Sequence, residues 1–212
     1  MKLNLKKLIM IIILLLIYIC ICAFSYTGAV CKSISDNIFR LHVIANSNSE
    51  EDQKLKYKIR DSILDYFNSI SFTVNTKEEA TILIENHLEN IQKIAQEKVY
   101  SEGYSYPVTI EIGNFYFPTK TYGDISFPPG YYDSLRIKIG EASGENWWCV
   151  MFPALCFVDP QNGLVPETSK KYLEEALSEE EFNLVSEHSL NSNVKFKFVE
   201  LLQNISNSGI FI

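Results

Sequence analysis

The sequence predicts an α+β domain preceded by an N-terminal membrane or signal helix, and three observations predict it. An uncharged run from Leu8 to Cys31 opens the chain. Two stretches then repeat apolar residues every three or four positions, and a later half turns to alternating β-branched and aromatic residues. Helical runs followed by strand runs fit a sheet with helices gathered on one side. The expectation is a mostly antiparallel sheet of about four to six strands with two helices packed on one face. This domain would occupy residues 32–165, with an acidic helical tail at 166–212.

The leader comes first in the chain. Lys2, Lys6 and Lys7 precede the apolar run, and no acidic residue appears before Asp36. The positive-inside rule therefore keeps the N-terminus in the cytoplasm and sends the remainder out. Leu8 to Phe24 is apolar without interruption, and at about 1.5 Å per residue it nearly spans a hydrocarbon core about 30 Å thick. Such a run is longer than an ordinary signal-peptide core, yet Ala23 and Ser25 offer a small-x-small cleavage pattern. Removal after Ser25 and retention of residues 1–31 as a single-span anchor, with residues 8–31 in the membrane, both fit. Three of the 19 Lys and Arg lie in the leader and none of the 26 Asp and Glu, so the exported part carries a net charge of −10. That balance speaks against nucleic acid and against an anionic bilayer surface as partners.

Phe39, Leu41, Val43 and Ala45 alternate with Arg40 and His42, which reads as a strand. Asn46 to Ser49 are turn and cap formers, and Ser47 with Glu50 has capping-box spacing. The helix that follows carries Leu55, Ile59, Ile63, Tyr66 and Phe67 on one stripe, with Lys54, Lys56, Lys58, Arg60 and Asp61 off it. Thr76 with Glu79 opens a second, longer helix whose apolar side runs from Ala80 through Leu83, Ile84, Leu88, Ile91 and Ala95 to Val99. His87 falls on that side and reads as a packed core histidine. Val108 to Ile112 and Leu135 to Ile139 alternate as half-buried strands, with a sharp turn at Pro128-Pro129-Gly130 between them. Trp147 to Phe152 is continuously apolar and short, as a buried central strand would be. Tyr172 to Leu177 and Glu179 to Val185 are the helical parts of the tail.

The chemistry-bearing residues do not form a recognisable catalytic set. HExxH, GxSxG, a phosphate-cradling glycine loop and metal-spaced Cys or His are all missing, and His42, His87 and His188 are scattered, so no metal or cofactor is expected. The strongest enzymatic reading pairs Glu141 with Glu145, near Asp124 and Asp159, beside Trp147 and Trp148, as a glycan-cleaving carboxylate site on an aromatic platform. Its plainer alternative makes those acids solvated strand ends and the tryptophans core. Cys149 and Cys156 are separated by six residues including Pro153. Outside the cytoplasm they are a possible disulfide, while two small buried hydrophobes fit equally well.

A set of blocks adds a resemblance. Arg40-Leu-His-Val-Ile-Ala-Asn46-Ser47, Glu51-Asp52-Gln53, Lys58-Ile-Arg60-Asp61 and Thr119-Lys-Thr-Tyr122-Gly123-Asp124 come first. Pro129-Gly130-Tyr131, Leu135-Arg136-Ile137, Ile139-Gly140-Glu141, Asn146-Trp147-Trp148-Cys149 and Cys156-Phe157-Val158-Asp159 follow. Together they resemble the stage II sporulation protein R family of endospore-forming bacteria, from about residue 38 to 165. The resemblance implies a signalling protein, not an enzyme, exported from the forespore into the space between two membranes. Its implied partner is a membrane-embedded aspartic-type protease of the mother cell that processes pro-sigma-E. It supplies no catalytic residues. It makes Arg40, Asn46, Asp52, Tyr122, Asp124, Arg136, Glu141, Asn146 and Trp147 candidates for a partner-binding surface. The structural alternative makes Asn46 and Asp52 caps, Arg136 and Glu141 a charge pair, and Trp147 core.

Overall fold

The alternating run after residue 38 forms a strand, and the rest of the domain is assembled around it. In the computed structural model, which describes residues 5–70, 74–156 and 165–186 together with Phe196 and Glu200, this strand is β1 (Phe39–Ile44). Parallel to it runs β5 (Gly130–Ile139), while β6 (Asn146–Phe152) lies antiparallel on its other side. The long strand β2 (Val108–Phe117) completes a four-stranded sheet by antiparallel pairing with β5, giving the order β2-β5-β1-β6. The sheet is thus mostly antiparallel, with one parallel pair. Its parallel pair follows from the long helical connection between β1 and the later strands. Trp147 to Phe152, expected at the centre, is an edge strand. Its apolarity reflects cover on both faces: Cys149 and Met151 join one core and Val150 the other.

One face carries Phe39, Leu41, Val43, Leu135, Ile137 and Ile139, and is covered by helices. The first, α2 (Glu50–Ser69), presents Leu55, Ile59, Ile63 and Phe67 at helical spacing. Its N-cap is Ser49, whose Oγ accepts from the Asp52 N–H at 3.1 Å, so the expected Ser47–Glu50 box sits two residues early. Lys56 and Arg60 also depart from the solvent side: Lys56 is buried, with Nζ donating to Gln53 Oε1 and to the Glu145 carbonyl. The expected second helix is divided into α3 (Lys77–Asn86) and α4 (Leu88–Ser101) at His87. Thr76 caps α3 by accepting from the Glu79 N–H, as its spacing predicted. At this break the Tyr66 hydroxyl and His87 Nδ1 are hydrogen-bonded at 2.5 Å, and Asn90 donates to that same oxygen. In α4, Gln92 and Gln96 bond the outward backbone groups of Val108 and so close the start of the β2 edge.

The opposite face has its own core of Phe117, Tyr132, Val150 and neighbours. Over it lie a hairpin, β3 (Lys120–Tyr122) and β4 (Ile125–Phe127), which sequence periodicity over three-residue strands does not reveal. Beside it sit α5 (Glu167–Ala176) and α6 (Glu179–Ser186). The third covering element is the leader itself. Helix α1 (Leu5–Asp36) is long and apolar enough to cross a membrane, and none of its apolar window is buried in the protein. This N-terminal helix fits a signal peptide or a single-pass anchor. It continues past residue 31 as helix: Cys31 is buried, Ile34 in its last turns joins the second core, and Ile38 just after the helix joins it too. The Tyr26 hydroxyl donates to Glu180, tying α6 to the same helix. Asp159 and His188 lie outside the described residues.

Docking of α1 has a measurable consequence. Ile34 is fully buried, so Ile34→Ala should destabilise the domain by about 2–4 kcal/mol. Chemical denaturation of the full chain in detergent measures this. An unchanged midpoint would mean that α1 is a loose tether.

Candidate functional site

Arg40 is the second residue of β1 and has no exposure at all. Its guanidinium is held by rings and by neutral acceptors. Cζ lies 4.3 Å from the Phe117 centroid and 4.9 Å from that of Tyr132, with Phe127 and Tyr122 at 5.6 and 5.9 Å. Nε donates to the Cys149 carbonyl at 3.2 Å and Nη2 to the Tyr122 hydroxyl at 2.7 Å. Tyr122 passes the chain on, donating to the Trp148 carbonyl at 2.9 Å. Through one side chain, β1, β2, β3, β4, β5 and β6 are therefore connected. Burial pushes the Tyr122 and Tyr132 hydroxyls upward in pKa, so both remain neutral donors beside the cation.

Asn46 and Asp52 form a second centre, at the turn from β1 into α2. Asn46 Nδ2 and Ser47 Oγ donate to Asp52 Oδ2 at 2.8 and 2.6 Å, while Asn46 Oδ1 accepts from the Glu141 N–H at 2.9 Å. Burial raises the Asp52 carboxyl, but hydrogen bonds from Ser47, Asn46, Tyr106 and Ser49 outweigh it and hold the group below the usual carboxylate range. Gly140 makes the contact with Asn46 possible: it has φ +56°, and a Cβ there would stand 2.2 Å from Asn46 Oδ1. Asn48 Oδ1 accepts from the Glu145 N–H. The side chains of Glu141 and Glu145 remain exposed, and what the fold uses is their backbone.

The register of the sheet lines up Glu111, Arg136, His42 and Trp148 across its four strands. Arg136 pairs with Glu111, which also takes Lys138 at 2.6 Å, and its guanidinium stacks 3.3 Å from the Phe115 centroid. The Arg136–Glu141 charge pair expected from sequence is thus replaced by a cross-strand pair. His42 stacks on Trp148 at 3.8 Å, and its Nε2 meets Asn146 Oδ1 at 2.7 Å. Burial lowers the His42 pKa to about 4; the Asn146 bond opposes this and the charges of Arg136 and Arg40 add to it. Asp124 accepts from Lys170 at 2.8 Å and from the Val165 N–H, fastening α5 to the hairpin.

Only part of the candidate set reaches solvent. Arg40, Asp52 and Tyr122 are absorbed in packing, Asn46 in the turn, and Asp124 and Arg136 in ion pairs. Trp147 points to the helical face, where Arg60 lies 4.4 Å above its ring and Tyr57 meets it edge-on at 5.5 Å. Tyr57 is 39% exposed, and Asn146, exposed on β6, turns its side chain to His42 on the other face. Tyr57 and Arg60 escape sequence reasoning because positions off a helix's apolar stripe read as plain solvent. Trp147 and Trp148 are consecutive on a strand and face opposite sides, so they form no common platform. Cys149 and Cys156 bring their Cα atoms to 5.5 Å with the sulfurs in bonding contact, a usual disulfide separation. Among the described residues no group of three or more His, Cys, Asp or Glu is placed to hold a metal.

The family model described as Stage II sporulation protein R (spore_II_R) matches residues 35–162. The chain belongs to the stage II sporulation protein R family. It is 38% identical over 152 residues to the Stage II sporulation protein R of Bacillus subtilis (strain 168), covering 69% of this chain and 68% of that relative. No solved structure matches it. The Arg40 cage, the Asn46–Asp52 turn and the Tyr57–Arg60–Trp147 cluster all lie within the family match. The apolar part of α1 and the helices α5 and α6 lie outside it.

Two outcomes follow from the buried groups. Tyr122→Phe removes the acceptor for Arg40 and the donor to Trp148, and should cost about 1–3 kcal/mol. In a double-mutant cycle with Arg40→Lys the two losses should be non-additive; additive losses would mean the groups act separately. For His42 the folded pKa is depressed, so between about pH 6.5 and about 4 the unfolded chain binds the extra proton. Stability is then fully present above pH 6.5 and lost as pH falls toward 4, by up to about 3 kcal/mol. Urea titrations of the wild type and His42→Gln should diverge in slope over that window and run parallel above it.

Proposed function

We propose that this protein is an exported sporulation signal that activates the mother-cell membrane protease processing pro-sigma-E, through direct contact in the space between the two membranes. The observation that carries the reading is family membership over the whole sheet domain. The geometry supports a contact role by setting a half-exposed Trp147, Arg60 and Tyr57 together, the residue types that anchor protein interfaces. The leader supports delivery across the forespore membrane, with α1 as signal or anchor.

The contact acts by binding the active form of the protease more tightly than the resting form, since a ligand shifts an equilibrium only by its differential affinity. The competing glycan-cleaving reading keeps two exposed acids, Glu141 and Glu145, but lacks the aromatic platform it requires. Co-expression of this protein, the protease and pro-sigma-E in a non-sporulating host tests the proposal. Processing should depend on this chain and fall at least tenfold in Tyr57→Ala and Arg60→Ala, with thermal stability retained. Processing without this protein would contradict it, and loss of signalling in Glu141→Gln or Glu145→Gln with an intact fold would favour the enzymatic reading.

A further inference from the structure

Arg40 Nη1, His42 Nδ1, Ser134 Oγ and Arg136 Nε are all buried and have no hydrogen-bond partner among the described residues. They are also neighbours. The β1–β5 register sets Arg40 beside Ser134 and His42 beside Arg136, and strand alternation turns all four side chains to the face away from α2, α3 and α4. Arg40, Ser134 and His42 are nine-tenths or more buried. A buried polar atom left unpaired costs about 1–3 kcal/mol, so four adjacent ones need an account.

Charge points the same way. The block holds two guanidinium groups, and the carboxylate that pairs with it among the described residues, Glu111, is shared between Arg136 and Lys138. Arg40 has hydroxyl, carbonyl and ring partners only. The unpaired donors are two cationic N–H groups and a hydroxyl; His42 Nδ1 is a lone-pair acceptor at their side, because Nε2 holds the ring proton toward Asn146 Oδ1. Such a set recognises an oxyanion, and a planar group with two acceptor oxygens matches two guanidinium donors.

Access is also built in. On β2 the position opposite Ser134 is Gly113, which leaves the row without a side chain at the sheet edge. The Phe115 ring fills that space: a Cβ on Gly113 would lie 2.9 Å from Phe115 Cζ, and the same ring covers the Arg136 guanidinium. Phe115 is half-buried on an edge strand, so rotation of this one side chain uncovers the row from Gly113 toward Ser134 and Arg136.

The geometry points to a carboxylate-binding site on the sheet, formed by Arg40, Ser134 and Arg136 beside His42 and covered by Phe115. The carboxylate comes either as a free small acid or as an acidic side chain of another protein, and the two sources are separable. Thermal unfolding of the full chain in detergent would be followed at pH 7 in sodium acetate and in sodium chloride of equal ionic strength. Acetate should give a saturable increase in Tm of about 2–4 °C over chloride. Ser134→Ala and Arg136→Gln should each abolish that difference whatever their own baseline stability, while Phe115→Ala should reach it at lower acetate. A response to N-acetyl-aspartate amide assigns the site to an acidic side chain, and a response to acetate alone assigns it to a free acid. Equal Tm in both acetate and aspartyl amide relative to chloride would leave the block hydrated only and overturn the site, as would an acetate response unchanged in both the Ser134 and Arg136 variants.

Discussion

A guanidinium buried with no acid paired to it among the described residues is the constraint on which this fold depends. Taking an ion out of water costs several kcal/mol, and Arg40 recovers it from four aromatic rings and from bonds to a carbonyl and a hydroxyl. Desolvated cation–π contacts contribute up to about 2 kcal/mol each and charged hydrogen bonds about 1.5–3. The offset exists only while Phe117, Tyr122, Phe127 and Tyr132 stand around the cation together. They come from β2, the hairpin and β5, so the cation sets the position of the second layer on the sheet. The last turns of α1 at Ile34, and Ile38 just beyond them, then close over the same core.

This explains what was legible in sequence and what was not. The helical face was readable because one-sided burial produces periodicity: Leu55, Ile59 and Ile63 on α2, and Ile91, Ala95 and Val99 on α4, declare themselves at helical spacing. The second face was hidden because its cover is made of short or borrowed pieces. Two three-residue strands are too brief to alternate, and the end of α1 reads as the edge of a membrane segment. Arg40 and His42 read only as the polar face of an alternating strand, and nothing in that pattern showed that their environment is aromatic. The break at His87 leaves no mark on the apolar spacing, which runs through it, and the ring's partner there, Tyr66, comes from another helix.

The candidate surface behaves similarly. Composition drew attention to Arg, Tyr, Trp and Asp in unusual blocks, but most of them serve the interior: Asp52 orders a turn, Asp124 fastens α5, and Tyr122 completes the cage. What remains for a partner is narrower and includes Tyr57 and Arg60, which helical periodicity consigned to plain solvent. The division has a mechanistic use, because a rigid sheet packed on both faces presents its exposed cluster in a fixed geometry. A surface that does not rearrange on binding spends little conformational entropy there, which is what the proposed function would require of it.

The central claim is that Arg40 locks the hairpin to the sheet, and native-state hydrogen exchange tests it most directly. The amides of residues 120–127 should open at the same free energy as those of β1 and β5, rising and falling with global stability. Exchange of the hairpin through a low-energy local opening, with β1 and β5 still protected, would contradict the account.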